Sequence, residues 1–279
     1  MIELKDYQKL RMAPMANSQA TITKKGMRLT VLTDGLLRIE KSKGNNFVDD
    51  ATQTVINRDL PLVEFSVEEK GNRLFVKTKR CVFELNLVTC KCVSVRFGDK
   101  KVHCDNRQNL KGTTRTLDGA FSAMSLENGV LSKNGVAVLF DSKSLIINND
   151  RYLEKRKTQE KDMYIFAFLN DYLGAIDALY KITGAPPLLP RFVFGNWWSR
   201  YKKYSQDEYI ALMDEFAEKK IPLTVATVDM DWHWVDVVKQ FGKEYKLPFG
   251  QNSGWTGYSF NTDLFYDYKK FLAELKARS

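Results

Sequence analysis

Between Arg28 and Phe168 the apolar residues of this chain come only in short runs, with turn residues dividing them. Arg28–Leu32, Leu36–Glu40, Leu62–Val67, Arg73–Thr78, Cys81–Leu87, Val93–Phe97, Val136–Phe140 and Met163–Phe168 are β-branched, aromatic or alternating, the pattern of half-buried strands. Asp34-Gly35, Lys43-Gly44-Asn45 and Lys70-Gly71-Asn72 supply turns between them. No apolar face with helical spacing occurs before about Leu173. Strands without crossover helices pair antiparallel, so the first half of the chain is expected to be a β-sandwich. Asn109–Ser144, rich in Gly, Thr, Ser and Asp, reads either as a functional loop or as a plain surface excursion.

The chain then changes character. Tyr172–Thr183 places Ile176, Leu179 and Tyr180 on one helical face, with Gly184 as its C-terminal cap. Pro186-Pro187 and Pro190 form a stiff connection that is neither helix nor central strand. A domain boundary is expected there, giving domains 1–185 and 186–279. Beyond it, Phe192–Asn196 and Thr224–Val228 read as strands. Between them Ser205-Gln206-Asp207-Glu208 has the form of a capping box, followed by Tyr209, Leu212, Met213 and Phe216 on one face and by Pro222 as a stop. Strand, helix, strand in this order predicts a right-handed crossover joining a parallel pair. Reactive groups in such units sit at the carboxyl ends of the strands, here Trp197–Tyr201 and Asp229–Trp234. A loop, Phe241–Phe260, and a last helical segment, Leu264–Ala277, with Tyr268, Phe271, Leu272 and Leu275 on one face, complete the chain. Two strands and two helices cannot close a parallel sheet, so the second domain is expected to be incomplete.

All five tryptophans fall within Phe192–Phe260, where apolar runs end in polar and acidic residues. Flat aromatics edged by carboxylates and amides suit a sugar ring, with its apolar C–H face and its rim of hydroxyls. Asp229 follows the second strand directly and is favoured over Asp231 as the pocket carboxylate. Trp232, His233 and Trp234 either line the entrance or pack the strand ends. His233 has no second ligand at helical or strand spacing, so no metal is expected, and the chemistry requires no cofactor.

Other function classes fit less well. The 279 residues are 44% hydrophobic, enough for a substantial core. A net charge of +9 raises nucleic acid as a partner, but the basic residues are scattered pairs such as Lys24-Lys25 and Lys202-Lys203 among acidic neighbours. No nucleic-acid partner is expected. Charges interrupt MIELKDYQKL, and no apolar run reaches the length of a bilayer span, so a cytoplasmic protein without membrane contact is expected. Cys81, Cys90, Cys92 and Cys104 lack the spacing of a zinc knuckle and read as buried free thiols on strands.

Taken in order, VLTDGLLRIE, DDATQTVINRDLPLVEF, NLKGTTRTLDG, GVLSKNGVAVLFDS, DMYIFAFLNDY, LYKITGAPPLLPRFVFGNWWSRYKKYS, IPLTVATVDMDWHW and GWTGYSFN resemble glycoside hydrolase family 31, the α-glucosidase and α-xylosidase family. The resemblance runs through nearly the whole chain. It implies a galactose-mutarotase-like β-sandwich followed by the first βα units of a (β/α)8 TIM barrel. It also implies a retaining mechanism with two carboxylates, one a nucleophile and the other an acid and then a base. Both lie on later barrel strands in that family, so no catalytic residue is expected in this chain, which reads as an N-terminal portion, inactive alone. Residue by residue, Asp229 resembles the aspartate that binds the glycone hydroxyls, Tyr201 the aromatic that walls the same subsite, and Asp118 the aspartate carried on a sandwich loop. The expected partner is an α-linked glucoside or oligosaccharide, and an oligomer is possible. A non-catalytic carbohydrate-binding or regulatory protein of the same descent is the alternative.

Overall fold

The short apolar runs of the first half fold as antiparallel strands. In this computed structural model, which describes residues 5, 9–24, 26–112, 119–157, 161–242 and 254–278, the chain divides into two units, Met1–Pro186 and Pro187–Ser279. The first unit contains β1 (Thr21–Lys24), β2 (Met27–Thr33), β3 (Leu36–Lys41), β4 (Ala51–Thr52), β5 (Phe65–Lys70), β6 (Arg73–Thr78), β7 (Val82–Asn86), β8 (Lys91–Phe97), β9 (Lys100–His103), β10 (Val136–Phe140), β11 (Ile146–Ile147), β12 (Leu153–Glu154) and β13 (Lys161–Ala167). A helix, α1 (Tyr172–Thr183), follows.

Two five-stranded sheets dominate, in the orders β1-β2-β3-β13-β10 and β5-β6-β7-β8-β9. Their registers turn alternate residues toward a shared interior. Leu74 lies opposite Leu85 and Val76 opposite Phe83 in one sheet, and Leu29 opposite Ile39 in the other. These residues form one buried cluster with Val95, Val102, Val136, Met163 and Ile165, which makes the unit a β-sandwich. Complete burial of a side chain such as Phe83 contributes about 1.5–3 kcal/mol. The outer face of the first sheet is covered as well. Ala175, Ala178 and Ile182 of α1 pack there with Leu36, Tyr164, Phe166 and Phe168. Asp171 caps α1 by accepting from the Gly174 N–H, and Gly184 ends it at φ 88°. A side chain at φ 88° would be strained, so the C-terminal cap favours glycine.

Because that outer face is covered, charged residues on it are buried in pairs. Arg38 donates to both carboxylate oxygens of Asp162, at 2.9 and 2.7 Å, and Arg156 donates to Asp162 and Asp141, each at 3.1 Å. Arg28 forks onto Glu40 at 2.6 and 2.9 Å. Arg58 donates to the Tyr164 hydroxyl at 2.8 Å and to the carbonyls of Pro14 and Asp50. Alternation at positions 38, 40 and 162 reads as half-exposed strand, and nothing local marks these residues as buried ions.

Some expectations are corrected by the structure. The strand expected at Leu62–Val67 is β5, three residues later, because Pro61 and its neighbours run outside the sheet. Phe192–Asn196 is not a strand: Arg191–Phe194 forms a 3-10 turn after Pro190. The first strand of the second unit is β14 (Trp197–Trp198), and Thr224–Val228 contributes only β15 (Val225–Ala226). The helix between them, α2 (Gln206–Glu218), ends before Pro222. Lys219 caps it, and Lys220 adopts φ 55°. The expected loop Phe241–Phe260 contains a strand, β17 (Trp255–Phe260), antiparallel to β16 (His233–Val235). Leu272 is 48% exposed on α4 (Tyr268–Ala277), whose buried face is Phe271 with the half-buried Tyr268 and Leu275.

Cys81, Cys90 and Cys92 are buried free thiols and Cys104 is half-buried. Burial pushes Cys81 up to about 12, and Cys92 is raised by its hydrogen bond to Cys104 and by burial, which keeps both as inert thiols. No helix among the described residues is long and apolar enough to cross a membrane.

Candidate functional site at the parallel strand ends

The second unit is built around a crossover. The capping box at the start of α2 is complete: Ser205 Oγ accepts from the Glu208 N–H at 3.3 Å, and Glu208 Oε2 accepts from the Ser205 N–H at 2.8 Å. The helix returns the chain so that β15 lies parallel to β14, with Trp197 opposite Val225 and Trp198 opposite Ala226. The Thr224 N–H donates to the Asn196 carbonyl and the Thr227 N–H to the Trp198 carbonyl, both at 2.9 Å. Gly195 permits this approach, since a Cβ there would lie 2.2 Å from Thr224 Oγ1. Tyr209, Met213, Phe265 and Phe271 are buried beneath the pair, with Trp198 and Phe216 in edge contact at 5.1 Å.

Both strands run on toward the same end. A parallel bridge joins Lys203 to Met230, so Tyr201 and Asp229 each sit one or two residues before that bridge, on adjacent segments. Tyr201 is 84% exposed. Asp229 is exposed and has no hydrogen-bond or ion-pair partner among the described residues. Asp231 differs: it adopts φ 55°, is half-buried, and faces Lys203 Nζ at 3.6 Å. Of the two acids, Asp229 is the more exposed and the one without an ion-pair partner among the described residues.

Trp232 and His233 belong to an aromatic ladder. The Trp232 ring lies 5.1 Å from His233 and 5.3 Å from Phe260, which stacks on Tyr268 at 4.6 Å. His233 is 5.5 Å from Trp255, and its Nδ1 lies 3.2 Å from the Trp234 carbonyl. The ladder therefore runs from the half-buried Phe260 to Trp255, which is 74% exposed. Trp232 packs against Phe260 and His233 against Trp255. Trp234 packs separately, against Phe241. Trp255, one of the five tryptophans of this stretch, and Tyr258, which lies in the segment expected as a loop, are open aromatic surfaces on β17, 74% and 96% exposed. The aromatic and β-branched content of WTGYSF was the available signal for that strand.

The structure thus brings Trp232 and His233 into contact and sets Tyr201 and Asp229 at neighbouring strand ends. Asp118 lies outside the described residues. The base of its loop is closed by Asn109, which accepts from the Lys111 and Gly129 N–H groups and donates to the Gly129 carbonyl at 2.8 Å. Among the described residues no three His, Cys, Asp or Glu side chains come together as metal ligands.

Residues 186–279 match the family model for the glycosyl hydrolases family 31 TIM-barrel domain. An alpha-xylosidase of Saccharolobus solfataricus is 28% identical over 149 residues, covering 52% of this chain and 18% of that protein. An alpha-glucosidase of the same organism is 24% identical over 220 residues, covering 70% of this chain and 31% of that protein. Among solved structures, a family 31 dextranase of Flavobacterium johnsoniae complexed with glucose superposes with a TM-score of 0.53 at 16% identity, over 94% of this chain and 35% of that one. A family 31 alpha-xylosidase from a soil metagenome complexed with xylose gives 0.52 at 12% identity, over 92% and 44%. The chain spans well under two thirds of the length of each of these proteins.

Proposed function

Because this chain belongs to glycoside hydrolase family 31, we propose that it supplies the sandwich and part of the glycone pocket of a retaining α-glycoside hydrolase that releases terminal α-linked glucose. The observation that carries this reading is the parallel pair β14 and β15, with Tyr201 and an unpartnered Asp229 at its carboxyl end. In this reading Asp229 accepts hydrogen bonds from glycone hydroxyls. These tighten as the ring flattens toward the oxocarbenium-like transition state. Tyr201 forms a wall of the same subsite, and Trp232 and His233 set the floor at its edge. Asp118 is assigned to the same subsite on the family resemblance alone. The galactose-mutarotase-like form of the sandwich and the incompleteness of the barrel belong to the same proposal. No residue of this chain is assigned as nucleophile or acid/base. In this proposal the glycone is glucose; the relatives of the chain include both an α-glucosidase and α-xylosidases.

Incubation of the 279-residue protein with nitrophenyl α-glucoside and α-xyloside tests the assignment. No turnover of either is expected, since positioning cannot replace an absent nucleophile. Glucose is expected to bind weakly and more tightly than xylose, with binding lost in Asp229→Ala. Turnover abolished by Asp229→Ala would overturn the division of labour, and binding unchanged by that substitution would overturn the pocket.

A further inference from the structure

The β5–β9 sheet of the first unit has an outer face of its own. Its registers align the outward side chains in rows across the strands. Ser66 lies opposite Lys77, Lys77 opposite Val82, Val82 opposite Arg96, and Arg96 opposite Lys101. The next row runs Glu68, Phe75, Glu84, Ser94 and His103, and the third Lys70, Arg73, Asn86 and Lys91. A cavity of about 360 Å³ opens on this face, with Phe75 and Glu84 between Lys77, Arg96 and Lys70.

The acids of the middle row are already engaged. Glu84 faces Lys101 Nζ at 2.8 Å and Arg73 Nη1 at 3.2 Å, and accepts from Ser94 Oγ at 2.6 Å. The bonds from Lys101 and Ser94 hold its carboxyl below the usual range. Glu68 pairs with Lys70 at 2.8 Å. Lys77 and Arg96 line the cavity, are exposed, and have no partner among the described residues. Arg96 also lies directly across from a second cation, Lys101, an arrangement that is unfavourable in a sheet. The cavity therefore holds two cations without an acidic partner and a half-buried aromatic ring, whose direct cross-strand neighbours are the already engaged carboxylates of Glu68 and Glu84.

We propose that this face binds an anionic polysaccharide, with sugar carboxylates taken by Lys77 and Arg96 and one sugar ring laid against Phe75. Charge complementarity selects an anion, and the single aromatic selects a glycan over single-stranded nucleic acid, which uses a series of rings for successive bases. Ser66 and Ser94 lie within the same cavity as partners for hydroxyls. The site goes beyond the proposed hydrolysis and is independent of it.

Fluorescence polarisation of labelled oligogalacturonate with the full 279-residue protein tests the proposal, with dextran oligosaccharide and oligo(dT) as the comparison probes. Oligogalacturonate should bind and weaken with added salt, and dextran should not. The double variant Lys77→Ala, Arg96→Ala should weaken binding roughly tenfold, the weight of two charge-assisted contacts. Phe75→Ala should weaken it about fivefold through loss of the ring contact. Lys77→Gln, Arg96→Gln, which keeps the side-chain volume, should reproduce the double-variant effect with an unchanged melting temperature. Absence of oligogalacturonate binding, binding that survives both double variants, or tighter binding of oligo(dT) would overturn the assignment. Because the readout is binding to the sandwich, it stands or falls separately from glucose binding at Asp229.

Discussion

The two units of this chain differ in how far each satisfies itself. In the sandwich, strands of up to seven residues pair with chain neighbours, the interior is filled from both sheets, and the ions buried on the outer face are matched to one another. In the second unit the parallel pair is two residues long on each strand. Its buried cluster is small, whereas buried polar atoms without a hydrogen-bond partner among the described residues occur in both units, Trp198 Nε1 and Tyr209 OH here and Arg58 Nη2, Arg73 Nη1 and Asp141 Oδ1 in the sandwich. A groove of about 540 Å³ lies open between α2, α4 and β15, lined by Phe216, Ile221, Leu223, Ala226 and Leu275. Antiparallel strands close their ladders through hairpins within a short stretch. Parallel strands draw their neighbours from distant crossovers and need cover on both faces. The same density of apolar residues therefore gives one unit that is finished and one that presents apolar surface.

Separation of the two units breaks this comparison most directly. Residues 1–184 alone should remain monomeric with a cooperative sheet transition, whereas residues 187–279 alone should associate through the α2–α4 groove. Light scattering on the two polypeptides reads the outcome. A monodisperse, cooperatively melting 187–279 would show that the second unit is self-sufficient.

Within the sandwich, Asp162→Ala should cost about 3 kcal/mol, the low end for breaking a buried pair, because Arg38 and Arg156 both lose the shared carboxylate while keeping Glu40 and Asp141. Urea unfolding measures it. The same residue sets an acid limb. Burial opposes the charge on Asp162, but Arg38, Arg58 and Arg156 outweigh it and hold the carboxyl below its ordinary value. With the folded value depressed, the stabilisation is full above the unfolded value of about 3.9 and disappears as pH falls through the folded one. Stability of the sandwich should therefore drop below about pH 4, and Asp162→Asn should flatten that drop while lowering the plateau.

Smaller effects sharpen the contrast in the second unit. Ser205→Ala removes one half of the capping box and should lower its stability by about 1 kcal/mol, read from the helical signal on heating. Tyr209→Phe should be neutral or stabilising by up to about 1 kcal/mol, since burial pushes the hydroxyl up to about 12 with Tyr204 adding to it, and no acceptor among the described residues receives it. A loss of stability in Tyr209→Phe would mean that the hydroxyl has a partner in solution.

What the sequence determined by itself was whatever neighbours along the chain decide. The alternation of Arg73–Thr78, the apolar run Val136–Phe140, the capping box at Ser205, and Tyr172–Thr183 with its terminal Gly184 appear in the structure at those residues, because a period, a cap and a turn are properties of a few consecutive residues. The order strand, helix, strand likewise foretold a parallel pair, since a crossover helix permits that pairing. Contacts between distant residues were left to the tertiary structure. It alone buried Arg38 against Asp162, 124 positions away, and moved the first strand of the second unit past Phe192 to Trp197, where Gly195 lets Thr224 approach. It drew Trp255–Phe260 out of an apparent loop to face His233, and left Asp229 open while Lys203 engaged Asp231. Each of these depends on which surfaces meet after the chain has doubled back, and a pattern of consecutive residues carries no record of that meeting.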